Sequence, residues 1–145
     1  MKILKCGVCG HIEFNEAPQK CLVCRAPASA FAEAPDAITK PANPEALTDG
    51  DKKHIPQIVV IKQCGLLENC TDVHVKVGSI PHVMTPEHYI VYIDAYVNHK
   101  FVSRIWLSPE GSNAAAGFHL KATTGTFTAI ESCNKHGNWM AEVPL

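Results

Sequence analysis

The sequence predicts a mainly β protein in two parts, a small cysteine-built metal module followed by a β-sandwich or barrel. Three observations carry this prediction. Cys6, Cys9, Cys21 and Cys24 form two CxxC pairs within the first 24 residues. Residues 27–44, PASAFAEAPDAITKPANP, are too broken by proline for a long helix and too polar for a strand. Beyond them the chain turns to short extended runs at the spacing of an all-β domain.

The first part is the module, residues 1–34. Each CxxC turn sets two thiolates on one side of a tight loop and aims backbone N–H groups at the sulfurs. Two such turns make a tetrahedral S4 cage that suits zinc and iron alike. Metal binding there also serves to fold a segment too small for a core of its own. Residues 35–50 read as a linker, and residues 51–145 as the larger domain.

In that domain, strands are expected over 55–64, 73–78, 88–97, 101–107 and 124–133. VHVKV alternates strictly, with Val73, Val75 and Val77 on one face and His74 and Lys76 on the other, as a half-buried strand requires. Asn98 and His99 mark a hairpin, and residues 108–117, SPEGSNAAAG, a turn-rich loop.

Composition narrows the function. The chain of 145 residues is 46% hydrophobic and 19% charged with a formal charge of -1, which argues against nucleic acid or an anionic membrane as partner. The N-terminus, MKILKCGVCG, has no apolar stretch long enough for a signal peptide, so a cytoplasmic protein is expected. Seven cysteines in a reducing compartment point to metal more than to disulfides.

His54, His82, His88, Cys133 and His136 are the candidate ligands of the larger domain. Each falls at a strand end or on a loop, where a sandwich gathers its binding residues. Pro81 and Pro86 exclude a continuous helix through PHVMTPEH. The residues alone leave other readings open: a non-catalytic, metal-stabilised binding module, or a cysteine hydrolase using Cys133 and His136. Cys64 and Cys70, flanking GLLEN, are two free thiols or a hairpin disulfide. Trp106, Trp139, Phe101 and Tyr92 read as core or interface aromatics, and His11, His74, His99 and His119 as surface or structural residues.

Two resemblances go further. KCGVCGHIEF and CLVCRAPASAF resemble the rubredoxin-like module at the end of rubrerythrins, which implies an Fe(Cys)4 centre at Cys6, Cys9, Cys21 and Cys24 that passes single electrons. DKKHIPQI, VKVGSIPHVMTPEHYI and SCNKHGNW resemble, in order and spacing, the iron-site segments of superoxide reductases, the neelaredoxin and desulfoferrodoxin family. That family implies an immunoglobulin-like β-sandwich. It further implies one iron with His54, His82, His88 and His136 as equatorial ligands, Cys133 as axial ligand and a sixth position open.

The resemblance also implies reduction of superoxide to hydrogen peroxide, an electron donor such as rubredoxin, and a homodimer. Lys53 matches a lysine that draws in superoxide and helps protonate the product. The chain departs from the pattern at Lys52, where many members have a glutamate able to cap the oxidised iron; the nearest acid is Asp51, which is not expected to take that role.

Overall fold

The computed structural model describes residues 1–145. The N-terminal module is a three-stranded antiparallel sheet of β1 (Ile3–Cys6), β2 (Ile12–Phe14) and β3 (Phe31–Glu33), in the order β2-β1-β3. The larger domain stacks two sheets. One comprises β5 (Pro56–Ile61), β6 (Thr71–Val77) and β9 (Ala115–Leu120), in the order β5-β6-β9. The other has the order β4-β11-β10-β7-β8, from β4 (Ile38–Thr39), β7 (Ile90–Val97), β8 (Lys100–Trp106), β10 (Thr126–Cys133) and β11 (Gly137–Pro144). One short helix, α1 (Asp49–His54), precedes β5.

The core lies between these two sheets. Val73, Val75 and Val77 of β6 face Ile93 and Ala95 of β7 and Phe127 and Ala129 of β10, with Phe118 and Leu120 of β9 closing one side. Strand β6 buries alternate residues, as its sequence predicts, because its other face meets water. Strands β7 and β10 bury nearly every residue. Their second face is covered by the N-terminal module and the stretch after it, where Ile12, Phe14 and Ile38 pack against Tyr96 and Ile130. The Tyr96 hydroxyl donates to the Ile12 carbonyl at 2.7 Å. Each of these buried apolar side chains contributes about 1.5–3 kcal/mol.

A charged group is sealed into the same contact. Arg104 makes a bidentate pair with Asp94 at 2.6 and 2.8 Å, and its guanidinium lies 3.4 Å from the Tyr92 ring centroid. His11, fully buried, bonds Glu13 at 2.8 Å through Nε2 and faces Asp94 with Nδ1 at 3.6 Å. Burial alone would lower the His11 pKa, but the carboxylates of Asp94 and Glu13 outweigh it and raise it to about 9. The module is thus joined to the sandwich by buried apolar and ionic contacts.

Several sequence expectations are corrected. The stretch read as a linker is not a free tether: Ile38 is buried, and Ile38–Thr39 runs parallel to β11 as the edge of the large sheet. Residues 49–54 are helical, nucleated by a capping box between Thr48 and Asp51. Strand β9 starts inside the predicted 108–117 loop, because its alanines and glycine carry little apolar signal but pair fully with β6. Strand β11 escapes the sequence pattern because it lies between β10 and β4, where its backbone bonds matter more than an alternating face.

Replacing His11 by Ala leaves Asp94 and Glu13 facing a cavity, so a loss of about 3–5 kcal/mol is expected in chemical denaturation of the metal-loaded protein. His11 carries a folded-state pKa above its unfolded value of 6.5. The stabilisation should therefore be full below pH of about 6.5 and disappear as pH rises through about 9, by at most about 3 kcal/mol. A wild-type stability flat across that window would refute the buried ion pair.

Candidate metal centres

In the module, the sulfurs of Cys6 and Cys24 lie 3.7 Å apart and those of Cys9 and Cys21 3.6 Å apart, with all four within 4.8 Å of one another. A tetrahedron with metal–sulfur bonds of about 2.3 Å has sulfur–sulfur edges of about 3.8 Å. The two turns are built alike: the Gly10 N–H donates to the Cys6 carbonyl and the Arg25 N–H to the Cys21 carbonyl, each at 2.9 Å. Both donors take a positive φ, 80° at Gly10 and 69° at Arg25. The His11 N–H points at the Cys9 sulfur at 3.4 Å. Burial acts to raise the Cys6 pKa, but the N–H groups of Cys9 and Val8 outweigh it and bring it to about 7.

The second cluster gathers at one end of the sandwich. His54 ends α1, His82 and His88 lie on the loop between β6 and β7, and Cys133 and His136 bracket the turn between β10 and β11. The four imidazoles form a closed ring. Neighbouring centroids are 4.8 Å (His54–His82), 4.6 Å (His82–His88), 5.0 Å (His88–His136) and 5.0 Å (His136–His54), with interplanar angles of 69–83°. The His54–His88 diagonal is 6.4 Å. The Cys133 sulfur lies 3.6 Å from His82 Nε2 and 3.7 Å from His136 Nδ1.

The free nitrogens show what this ring can hold. His54 Nδ1 is bonded to the Gly50 carbonyl and His82 Nδ1 to the Val83 carbonyl, each at 2.7 Å, so each ring turns Nε2 inward. Nε2 of His54 and Nε2 of His88 are buried without any hydrogen-bond partner. Inward lone pairs with no proton donor are what a metal ion satisfies, and carbonyl bonds on the outer nitrogens fix the tautomer. Burial, reinforced by the neighbouring positive groups, lowers the pKa of His54 and His88 and takes His82 to about 4, so the rings are neutral ligands at pH 7. Burial raises the Cys133 pKa, opposed by the N–H groups of Lys135 and His136 that aim at its sulfur. Four imidazoles and one thiolate, five donors with one side open to water, suit a transition ion such as iron better than the closed four-donor cage of structural zinc.

Local chemistry sets the positions. Strand β10 pairs with β7 through Ser132↔Tyr92 and then Cys133↔Ile90, a bulge that re-aims Cys133 at the strand end. Asn134 ties two loops together: its Nδ2 donates to the Glu87 carbonyl at 3.0 Å, and its Oδ1 accepts from the Tyr89 N–H at 2.9 Å. Thr85 and His88 exchange backbone bonds at 3.0 and 3.1 Å, closing the TPEH turn. Trp139 stacks on His54 at 5.0 Å and donates to the His136 carbonyl at 3.1 Å. Sequence reasoning placed Trp139 among generic aromatics and passed over Asn134, although both lie in the SCNKHGNW segment.

Helix α1 presents the first ligand through a close backbone contact. A Cβ on Gly78 would lie 2.3 Å from the Ile80 carbonyl oxygen and 2.7 Å from those of Lys52 and Lys53. The Ile80 N–H and Ser79 hydroxyl both bond the Lys52 carbonyl, satisfying the end of α1. Asp51 is buried, with Oδ2 accepting from the Thr48 N–H at 2.9 Å. It is committed to the helix cap. Lys53 and Lys135 are exposed and close enough to His88 to contribute to its lowered pKa, after burial and His136. The ring itself opens toward water at His136, whereas His54, His82 and Cys133 are buried.

Cys64 and Cys70 are unbridged, and they meet Asp72 and His119 at the far end of β6. Nothing in the local sequence joins His119 to them. Trp106 is 61% exposed beside Arg104, which removes the core half of the core-or-interface reading.

Residues 46–142 match the desulfoferrodoxin family model and residues 5–32 the rubrerythrin, rubredoxin-like domain. The chain is 32% identical over 142 residues to a desulfoferrodoxin homolog of Archaeoglobus fulgidus, covering 97% of this chain and 96% of that one. It is 32% identical over 115 residues to a superoxide reductase of Pyrococcus horikoshii, covering 70% and 96%. The structure of a superoxide reductase (neelaredoxin) from Archaeoglobus fulgidus in the reduced form superposes with a TM-score of 0.52 at 32% identity, over 64% of this chain and 89% of that chain.

Replacing Gly78 by Ala should push α1 off its seat and lower metal affinity at the five-donor ring at least about tenfold in a chelator competition, though Gly78 touches no metal. Gly65→Ala, with open space around it, is the matched control and should change nothing. Equal affinities in the two variants would refute this support.

Proposed function

Because this chain belongs to the desulfoferrodoxin family, we propose that it reduces superoxide to hydrogen peroxide at an iron held by His54, His82, His88, His136 and Cys133. The observation that carries this reading is the ring of four inward imidazoles with one thiolate and a solvent-facing side. Iron bound there in its ferrous form supplies one electron. The overall balance is one superoxide, one electron and two protons to one hydrogen peroxide.

The residues support that reaction in three ways. Four neutral imidazoles and one thiolate leave a divalent ion with net positive charge, which attracts a small anion. Lys53 and Lys135 add two exposed ammonium groups near the opening, and Lys52 a third on the same helical turn. Lys53 would guide superoxide in and hold the water that delivers protons to the product. Asp51 is not free to cover the opening, since its carboxylate is held by Thr48.

The first centre, at Cys6, Cys9, Cys21 and Cys24, is read as an iron that takes electrons from a rubredoxin-type donor and passes them on. Its support is adjacency: Cys9 shares a cleft with Tyr92, Ser132 and Asn138, and Ser132 directly precedes Cys133. Zinc in the same cage would keep the fold and end the relay. A homodimer follows from the family resemblance. No helix is long and apolar enough to cross a membrane.

Lys53→Glu should slow the second-order reaction with superoxide about tenfold or more, measured by pulse radiolysis on reduced protein, and should flatten its dependence on ionic strength. An unchanged rate and salt slope would remove Lys53 from the mechanism. Loading the first site with zinc while keeping iron in the second should leave that rate unchanged and slow re-reduction by the donor. Equal re-reduction would rule out the relay.

A further inference from the structure

We propose that Cys64, Cys70, Asp72 and His119 form a third metal site, built for zinc. It lies at the end of the sandwich where the β5–β6 hairpin turns. It shares no residue with the two centres above.

The donor atoms are already gathered. His119 Nδ1 lies 3.4 Å from the Cys64 sulfur, 3.7 Å from the Cys70 sulfur and 2.7 Å from Asp72 Oδ1, and the Cys70 sulfur lies 3.5 Å from the same Oδ1. All four lie within 4.8 Å of one another. A tetrahedral zinc with bonds of about 2.3 Å to sulfur and about 2.0 Å to nitrogen or oxygen has sulfur–nitrogen and sulfur–oxygen edges of about 3.5 Å and a nitrogen–oxygen edge of about 3.3 Å. Three of the four measured separations match within about 0.2 Å. The fourth, His119 to Asp72, is a hydrogen bond that must open by about half an ångström when a metal replaces the shared proton.

The scaffold is rigid where it needs to be. Asp72 and His119 are directly paired across β6 and β9, and Cys70 abuts the first residue of β6. The Cys64 N–H reaches the Cys70 carbonyl at 3.3 Å, closing the loop. The Leu66 N–H then donates to the Cys64 sulfur at 3.3 Å, the same two-residue contact that the His11 N–H makes with the Cys9 sulfur in the four-cysteine cage. An N–H aimed at sulfur favours the thiolate that a metal requires. The loop has no core of its own, since Leu66 and Leu67 are 76% and 63% exposed, so a metal clip is the available means of ordering it.

Two sulfurs, one imidazole nitrogen and one carboxylate oxygen, with three of the four measured separations already tetrahedral, select zinc over harder ions. Binding converts two thiols to thiolates and releases their two protons, and the proton on His119 Nδ1 passes through solvent to Nε2, leaving a neutral imidazole with Nδ1 free for the metal. Coordination ties up the sulfur lone pairs on a shared ion, so the clip would also slow oxidation of Cys64 and Cys70 to a disulfide by the peroxide of the proposed reaction.

The test uses the full chain with both other centres loaded, reduced and desalted without air. Zinc is added, the excess removed, and bound zinc counted alongside peptide-resolved alkylation of Cys64 and Cys70. The wild type should retain one zinc per chain more than the Cys64→Ser, Cys70→Ser double variant, with iron content equal in the two. Zinc should slow alkylation of both thiols at least about tenfold in the wild type, and His119→Ala should abolish that protection. The wild-type comparison with and without zinc stands even if a variant fails to fold. Unchanged alkylation on adding zinc, equal zinc content in a folded double variant, or a Cys64–Cys70 disulfide that forms in air at the same rate with zinc present would each overturn the site.

Discussion

Strand β10 is held on both faces, and the five-donor ring depends on that confinement. One face of β10 packs Phe127 and Ala129 into the sandwich core; the other packs Ile130 against the N-terminal module. Hydrogen bonds to β7 and β11 fix its two edges. A strand so enclosed has one position along its axis, and Cys133 at its end inherits that precision. The remaining donors sit on loops and at the end of α1, and Asn134 and the Trp139 indole tie the turns that carry His88 and His136 to the strand end. A soft element is thus positioned by a stiff one, through few but directional bonds.

Enclosing β10 brings polar groups into places water cannot reach. Asp94, Arg104, His11 and Glu13 pair by charge where the module meets the sheet, with His11 Nδ1 and one Arg104 nitrogen left without a hydrogen bond. Glu131 does not: it is fully buried on β10 with both carboxylate oxygens unpartnered, and burial raises its pKa to about 9, so it is held neutral at pH 7. A neutral acid two residues before Cys133 leaves the thiolate as the negative donor of the ring. The charges that reach solvent near the opening include the ammonium groups of Lys53 and Lys135, with the exposed Glu87 beside His88. Burial and exposure together bias the region toward anions, although the chain as a whole is close to neutral.

The three clusters use one chemical idea at different depths. Cys133 and most of its histidines are buried, and the four-cysteine cage is half-buried. The Cys64 cluster lies in an exposed hairpin, with His119 in solvent. A buried site is organised by the core and can leave a coordination position open. An exposed site has little packing to hold its donors, so the separations among Cys64, Cys70, Asp72 and His119 rest on strand pairing and on backbone bonds to the loop.

By itself the sequence determined the mainly β class and the four-cysteine cage, and its resemblance to superoxide reductases singled out the five candidate donors of the ring. Those features are encoded locally: a CxxC turn, an alternating valine run, and short segments in which donor spacing and turn residues occur together. The tertiary structure decided what depends on register between distant strands. His119 becomes the neighbour of Asp72 only because β9 pairs with β6 at that offset, and no spacing in the chain states it. The stretch that composition marks as a linker becomes an edge strand because β11 offers it unpaired backbone groups and Ile38 finds a pocket against Tyr96 and Ile130. Likewise β7 and β10 lack the alternation of half-exposed strands because a second layer, supplied by the module, removes water from their outer face. Local pattern records the face a residue prefers, whereas adjacency across a sheet is set by the hydrogen-bonded ladder and the packing that selects it.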